Sequence, residues 1–270
     1  MNSITDLQRA KRQGRVISMV TCYDHWTARI VQRSEVDCIL IGDSAAMVAH
    51  GFDDTISATP EMMAWHVRAV AKGAPDKLIV GDFPFLAHRK GEAAAFETAD
   101  LLMKAGAQAV KIEGLRGHQE ILRALVESGV PVMGHLGLTP QSLHAFGGFR
   151  VQAKQRQAAD QLVRDALELQ TLGCFSVVLE AIPNDVARRV TEALDIPTIG
   201  IGAGPDTSGQ VLVLQDLLGM NPDFEPRFVR RYLDGSNLFR EALDRFACDV
   251  RQGEFPAEKE TYGCSKSSTA

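Results

Sequence analysis

At 270 residues, 45% hydrophobic and 23% charged, the chain is long enough for a large core and too ordinary in composition for a disordered or fibrous protein. A formal net charge of −5 without any basic stripe argues against nucleic acid or an anionic membrane as partner, and no apolar run approaches the roughly 20 residues that span a bilayer. The five cysteines are scattered and form no CxxC, which excludes a zinc ribbon and suits buried thiols in a reducing cytoplasm.

The first stretch, MNSITDLQRAKRQGRVISMV, has charge but no continuous apolar segment of the secretory type, and residues 4–13 read as a short helix. An alternation then begins. Apolar, β-branched runs occur at 16–21 (VISMVT), 38–43 (CILIGD), 77–82 (KLIVGD), 109–114 (AVKIEG), 131–137 (PVMGHLG), 176–181 (SVVLEA), 197–203 (PTIGIGA) and 211–216 (VLVLQD). Between them lie amphipathic patterns such as EMMAWHVRAVAKG, GEAAAFETADLLMKAG and QAADQLVRDALELQTLG, several closing on Gly73, Gly106, Gly129 or Gly173 as helix C-caps do. Near-continuous apolar strands alternating with helices predict a parallel sheet covered by helices. Eight such strands fit a closed (β/α)8 barrel, an α/β fold of about 250 residues. The glycine-rich GIGAGPDTSG at 200–209 lacks dinucleotide-binding spacing and follows the seventh strand, against a Rossmann domain. We expect one barrel domain over 1–256, with helices added after Gly219 and a polar, mobile tail at 257–270.

In such barrels the C-terminal strand ends build the active site. The second run ends in Asp43-Ser44, the third in Asp82, the fourth carries Lys111 and Glu113, the fifth His135 and the sixth Glu180. Each residue has a plain structural reading: Asp43 or Asp82 as a cap, Lys111 with Glu113 as an ion pair on one strand face, His135 as a core histidine. Five successive strands delivering ionisable groups to one mouth favour a site instead. Asp43, Asp82 and Glu113 are hard oxygen donors without His or Cys among them, a set that suits Mg2+, with Mn2+ as substitute. A chelated 2-oxo acid would be acidified at the carbon beside its keto group. Lys111, His135 and Ser44 would contact it, and Glu180, lacking an adjacent positive partner in sequence, would take the proton. A metal-dependent aldol site is the chemistry expected.

The stretches GDSAAMVAHGFDDT, GAPDKLIVGDFPF, AGAQAVKIEG, VPVMGHLGLTPQSLHAFGGFRVQ, VVLEAIP and VTEALDIPTIGIGAG resemble the ketopantoate (3-methyl-2-oxobutanoate) hydroxymethyltransferase family, in order, from about residue 4 to 256. The resemblance implies a barrel of the phosphoenolpyruvate/pyruvate superfamily type and a cytoplasmic, homodecameric enzyme of pantothenate biosynthesis. It implies transfer of a one-carbon unit from 5,10-methylenetetrahydrofolate to 3-methyl-2-oxobutanoate, giving 2-dehydropantoate. It also implies Mg2+ on Asp43, Asp82 and Glu113, keto-acid contacts from Asp43, Ser44, Asp82 and Lys111, a pocket-lining His135, and Glu180 as proton acceptor. Three departures stand out. Ala45-Ala46 replaces the family's usual Leu-Gly, Asp54 stands where Ser is common, and Ala153 replaces a common Gly. A lost glycine after Ser44 is expected to matter if the backbone there needs positive φ.

Other readings remain open from the residues alone. A metal-dependent lyase or aldolase acting on another 2-oxo acid, like the isocitrate lyase group, would usually carry a reactive Cys in a Lys-Lys-Cys-Gly-His type segment, which this sequence does not contain. A non-catalytic paralogue would not need the polar strand ends. A metal-free aldolase would use Lys111 as a Schiff-base amine.

Overall fold

The computed structural model describes residues 1–263; residues 264–270, the second half of the tail expected at 257–270, lie outside the described residues. Eight parallel strands close into a barrel in sequential order: β1 (Ile17–Thr21), β2 (Cys38–Ile41), β3 (Leu78–Asp82), β4 (Ala109–Glu113), β5 (Val132–Gly137), β6 (Ser176–Glu180), β7 (Thr198–Ile201) and β8 (Gly209–Leu212). The seam is β8 against β1, running from Ile17↔Gly209 to Val20↔Leu212. The barrel expected from the alternation of apolar runs is therefore the fold. Helix α1 (Ile4–Arg12) precedes it. Helices α2 (His25–Gln32), α3 (Ala45–Val48), α4 (Pro60–Gly73), α5 (Glu92–Ala105), α6 (Gln119–Glu127), α7 (Leu143–Phe146), α8 (Arg156–Thr171) and α9 (Asn184–Ala193) fill the connections.

Side chains two apart on a strand share a face. Leu78 and Val80, Ala109, Met133, Val178 and Ile199 thus point into one buried cluster with Met19, Cys38, Leu40 and Val211. Leu7 and Ala10 of α1 belong to the same cluster, and Leu78 N donates to Met1 O at 2.8 Å, so α1 covers the end where the strands begin. Lys11 Nζ donates to the carbonyls of Thr191, Leu194 and Ile196, the orphan acceptors at the end of α9. Continuing each inward series by two residues gives Asp82, Lys111 with Glu113, His135 and Glu180. The period that packs the core therefore carries these groups to the opposite mouth.

Two expectations require correction. The eighth strand begins at Gly209 and ends at Leu212, and α10 (Leu214–Leu217) occupies much of the run predicted to be strand at 211–216. A Cβ on Gly209 would lie 2.6 Å from Ile17 O, so glycine is what lets this strand approach β1. Gly73 is also not a C-cap of the left-handed kind that Gly106, Gly129 and Gly173 provide at φ +122°, +86° and +92°. It ends α4 against α2, where a Cβ would sit 2.6 Å from the Ala28 methyl.

The barrel unit comprises Met1–Leu214 with Arg227–Val229. A second unit comprises Gln215–Pro226 and the described residues from Arg230 onward, and contains α11 (Gly235–Gln252). Within it, Arg231 ties its loop together through Pro222 O at 2.9 Å and Glu225 at 2.7 Å, and Phe246 meets Phe255 edge to face. Among the described residues no helix is long and apolar enough to cross a membrane.

Candidate active site

Asp43, Asp82, Lys111, Glu113 and His135 are all buried, none more than 5% exposed. The register explains their meeting. Asp82 and Lys111 are paired positions on β3 and β4, as are Glu113 and His135 on β4 and β5. Lys111 Nζ lies 2.9 Å from Asp82 Oδ2 and donates to His135 Nδ1 at 3.1 Å. The ion pair expected along β4, Lys111 with Glu113, is longer at 4.0 Å, because the neighbouring strand offers the closer carboxylate. Asp43, just beyond β2, caps no helix. Its N–H donates to Asp82 Oδ2 at 3.2 Å and its own Oδ2 accepts from Gln141 Nε2 at 2.8 Å.

Glu180 closes the arc at the end of β6, its side chain 17% exposed, with Oε2 3.2 Å from His135 Nε2. The partner absent from its sequence neighbourhood thus comes from the adjacent strand. Nδ1 of the same ring also faces Glu113 Oε1 at 3.5 Å; burial, then Lys111, pull the imidazole down, but Glu113 and Glu180 outweigh them and its pKa is raised. The backbone here is tightly specified: Ala181 takes φ +46°, and Glu180 O accepts from Leu138 N at 2.9 Å. Gly137, at φ +96°, leaves room for that carbonyl, which a Cβ would strike.

The electrostatics follow from burial. Asp43 is held well above the usual carboxylate range by desolvation first and by the charges of Asp82 and Glu113 next. Asp82 is also raised, chiefly by desolvation, with Lys111 opposing. Burial pulls the Lys111 ammonium down, but Asp82, Glu113 and Asp43 outweigh it and the net shift is upward. Lys111 is thus a cation at neutral pH, a poor nucleophile for a Schiff base. Cys22, Cys38 and Cys174 are buried, with thiols pushed up to about 11, 12 and 12 by desolvation, and are inert.

Ser44 lies apart from this ionic group. Half-buried, its Oγ is 2.8 Å from Tyr23 OH. Ala45 and Ala46 are fully buried in α3, and neither takes positive φ, so the substituted loop carries no backbone strain. Ala153 does, at φ +55°. Asp54 accepts the N–H of Ile56 at 3.0 Å and pairs with His144 Nε2 at 3.1 Å, linking the loop after β2 to that after β5.

The donor set fits a hard divalent cation. Three buried carboxylates facing one ammonium leave a formal excess of two negative charges, and Asp82 Oδ1 and Glu113 Oε1 accept no hydrogen bond. As the side chains stand, no three His, Cys, Asp or Glu groups among the described residues come together closely enough to hold a metal ion.

The profile of the family described as Ketopantoate hydroxymethyltransferase matches residues 1–258. A relative named 3-methyl-2-oxobutanoate hydroxymethyltransferase from Coxiella burnetii (strain Dugway 5J108-111) is 52% identical over 252 residues, covering 93% of this chain and 95% of its own. One of the same name from Bdellovibrio bacteriovorus is 52% identical over 262 residues, covering 97% and 100%. The chain belongs to the ketopantoate hydroxymethyltransferase family. It is accordingly an enzyme and a transferase. Solved structures share its fold. 2,3-Dimethylmalate lyase, a PEP mutase/isocitrate lyase superfamily member, matches at TM-score 0.64 and 17% identity over 97% of this chain and 89% of its own. Phosphonopyruvate hydrolase in complex with oxalate and Mg++ matches at TM-score 0.63 and 13% identity, over 96% and 93%.

Proposed function

We propose that this enzyme transfers a hydroxymethyl group from 5,10-methylenetetrahydrofolate to 3-methyl-2-oxobutanoate, with water consumed, to give 2-dehydropantoate and tetrahydrofolate. The observation that carries the reading is the buried arc Asp43–Asp82–Lys111–Glu113–His135 ending on Glu180 at the barrel mouth, in a chain of this family. Asp43, Asp82 and Glu113 would hold Mg2+ or Mn2+, which when bound would polarise the keto group and acidify the C3 proton.

The chain's own residues supply the rest. Lys111, a fixed cation, faces the keto oxygen, and Ser44 donates to the substrate carboxylate. Glu180 takes the C3 proton on a carboxylate oxygen. The C–H pair becomes the C2–C3 double bond of the enolate, whose oxygen carries the charge beside Lys111. His135, with Nε2 3.2 Å from Glu180 Oε2, would offset the negative charge of Glu180 when protonated. The enolate carbon would then bond to the methylene carbon of the folate as one C–N bond breaks onto its nitrogen, which receives the proton that Glu180 took; water would supply the hydroxyl as the second C–N bond breaks, its remaining proton going to that nitrogen and tetrahydrofolate leaving. A homo-oligomer belongs to the same reading, supported by the exposed apolar side chains Leu238, Phe239, Leu243, Phe246 and Val250 on α11.

A coupled assay with both substrates tests the function. Product formation with Mg2+ and its loss in EDTA are expected. Activity that persists in EDTA, with a borohydride-trapped adduct on Lys111, would replace this mechanism by the Schiff-base one.

A further inference from the structure

One buried residue binds two of the three carboxylates, and the carbonyl next to the third, without belonging to the ionic arc. Gln141 sits in the 3-10 turn Pro140–Ser142 directly after β5 and is 7% exposed. Its side-chain nitrogen donates to Asp43 Oδ2 at 2.8 Å and to Phe83 O, next to Asp82, at 2.7 Å. Its backbone N–H donates to Glu113 Oε2 at 3.1 Å. A single residue after β5 thus reaches the ends of β2, β3 and β4.

The chemistry of that position is selective. Three acceptors must be met, two of them by one nitrogen, and a primary amide has the two hydrogens needed. Glutamate would present acceptors to acceptors, asparagine is one methylene short, and an apolar side chain would leave Asp43 Oδ2 and Phe83 O buried without a donor. The consequence for the carboxylates is a division of labour between their oxygens. Gln141 binds Oδ2 of Asp43 and Oε2 of Glu113, while Lys111 and the Asp43 N–H bind Oδ2 of Asp82. Glu113 Oε1 and Asp82 Oδ1 stay free of hydrogen bonds.

We propose that Gln141 is a positioning residue, its amide holding Asp43 Oδ2 and Phe83 O while its backbone N–H holds Glu113 Oε2, so that the carboxylates are presented to a divalent cation in a fixed arrangement. The inference rests on the metal reading given above. It is tested with full-length Gln141→Met, of similar length but without donors, and with Asp82→Ala as a control for the metal reading. Mn2+ binding is followed by electron paramagnetic resonance without substrate, thermal unfolding is recorded in EDTA, and kcat and KM are measured across metal concentrations. Partners that orient metal ligands change affinity by roughly 10- to 100-fold. The expected result for Gln141→Met is a loss of that size in Mn2+ affinity, with kcat recovering at saturating metal. Gln141→Asn, which keeps the amide and loses reach, should show the same loss, and serves alone if the Met variant does not fold. Wild-type Mn2+ affinity in the folded Gln141 variant, with Asp82→Ala impaired, would overturn the positioning role and leave the metal reading standing. Wild-type affinity in Asp82→Ala would overturn both.

Discussion

Lys111→Met isolates the central electrostatic feature of the site. The ammonium lies 2.9 Å from Asp82 and 4.0 Å from Glu113 in a region where the interacting side chains are at most 4% exposed. Solvent screens such a pair little, and breaking a buried ion pair by removing one partner typically costs about 3–5 kcal/mol because the other charge is stranded. Here three carboxylates lose the ammonium they face, which places the cost at the upper end, and proton uptake limits it. Asp43 and Asp82 already sit above their ordinary range. A carboxyl whose folded pKa is raised favours folding below its unfolded value and loses that contribution as pH rises through the folded value. The penalty of Lys111→Met should therefore be largest at pH 8 and shrink toward pH 5. Thermal unfolding in EDTA should show a fall of roughly 10 °C or more at pH 8. Mg2+ should then stabilise the variant more than it stabilises the wild type, since it supplies the missing positive charge. A loss under about 1 kcal/mol in EDTA, or equal Mg2+ stabilisation of both proteins, would refute the reasoning.

Two further expectations concern stability away from the ionic arc. Ala153→Gly relieves a left-handed residue at φ +55° and should stabilise by about 0.5–1 kcal/mol in urea unfolding, after the entropy that glycine adds to the unfolded chain; a destabilised variant would show that the turn does not strain alanine. His88 and His118 meet edge to face with ring centroids 4.5 Å apart, and their pKa values are pushed down to about 3 and about 4, by burial first and then by His118 and Arg89 respectively. Both groups favour the fold while neutral, so that stability is lost as pH falls below about 6.5 toward those values, by about 1.4 kcal/mol per unit for each. His88→Phe should flatten the acid limb of stability against pH, and an unchanged slope would exclude this source.

Much of the barrel and of the polar arc could be read from the chain because one rule generates both. Period-two strands carry apolar residues inward, and the next inward position on β3, β4, β5 and β6 is Asp82, Lys111 and Glu113, His135, and Glu180. What escaped the sequence depends on contacts between distant loops. Gln141 looks like an ordinary turn residue after Pro140, and only folding brings it to Asp43, 98 positions away. The His135 partner of Glu180 lies on another strand, so local sequence left that carboxylate seemingly alone. β8 was misplaced because VLVLQD looks uniformly strand-like, whereas Gly209, which admits close approach to β1, sets where the strand begins. Ala46 was expected to disturb a glycine loop, yet the segment is helical and tolerates alanine there.

The most direct measurement of the account is deuterium exchange at C3 of 3-methyl-2-oxobutanoate, without folate and with Mg2+, in wild type and Glu180→Gln. General-base removal typically costs about 10²- to 10⁴-fold. Wild-type protein should exchange the C3 proton, and Glu180→Gln should lose exchange by that factor while its Mn2+ titration stays normal. Undiminished exchange in the variant would contradict the assignment of Glu180 as the base on which the proposed reaction turns.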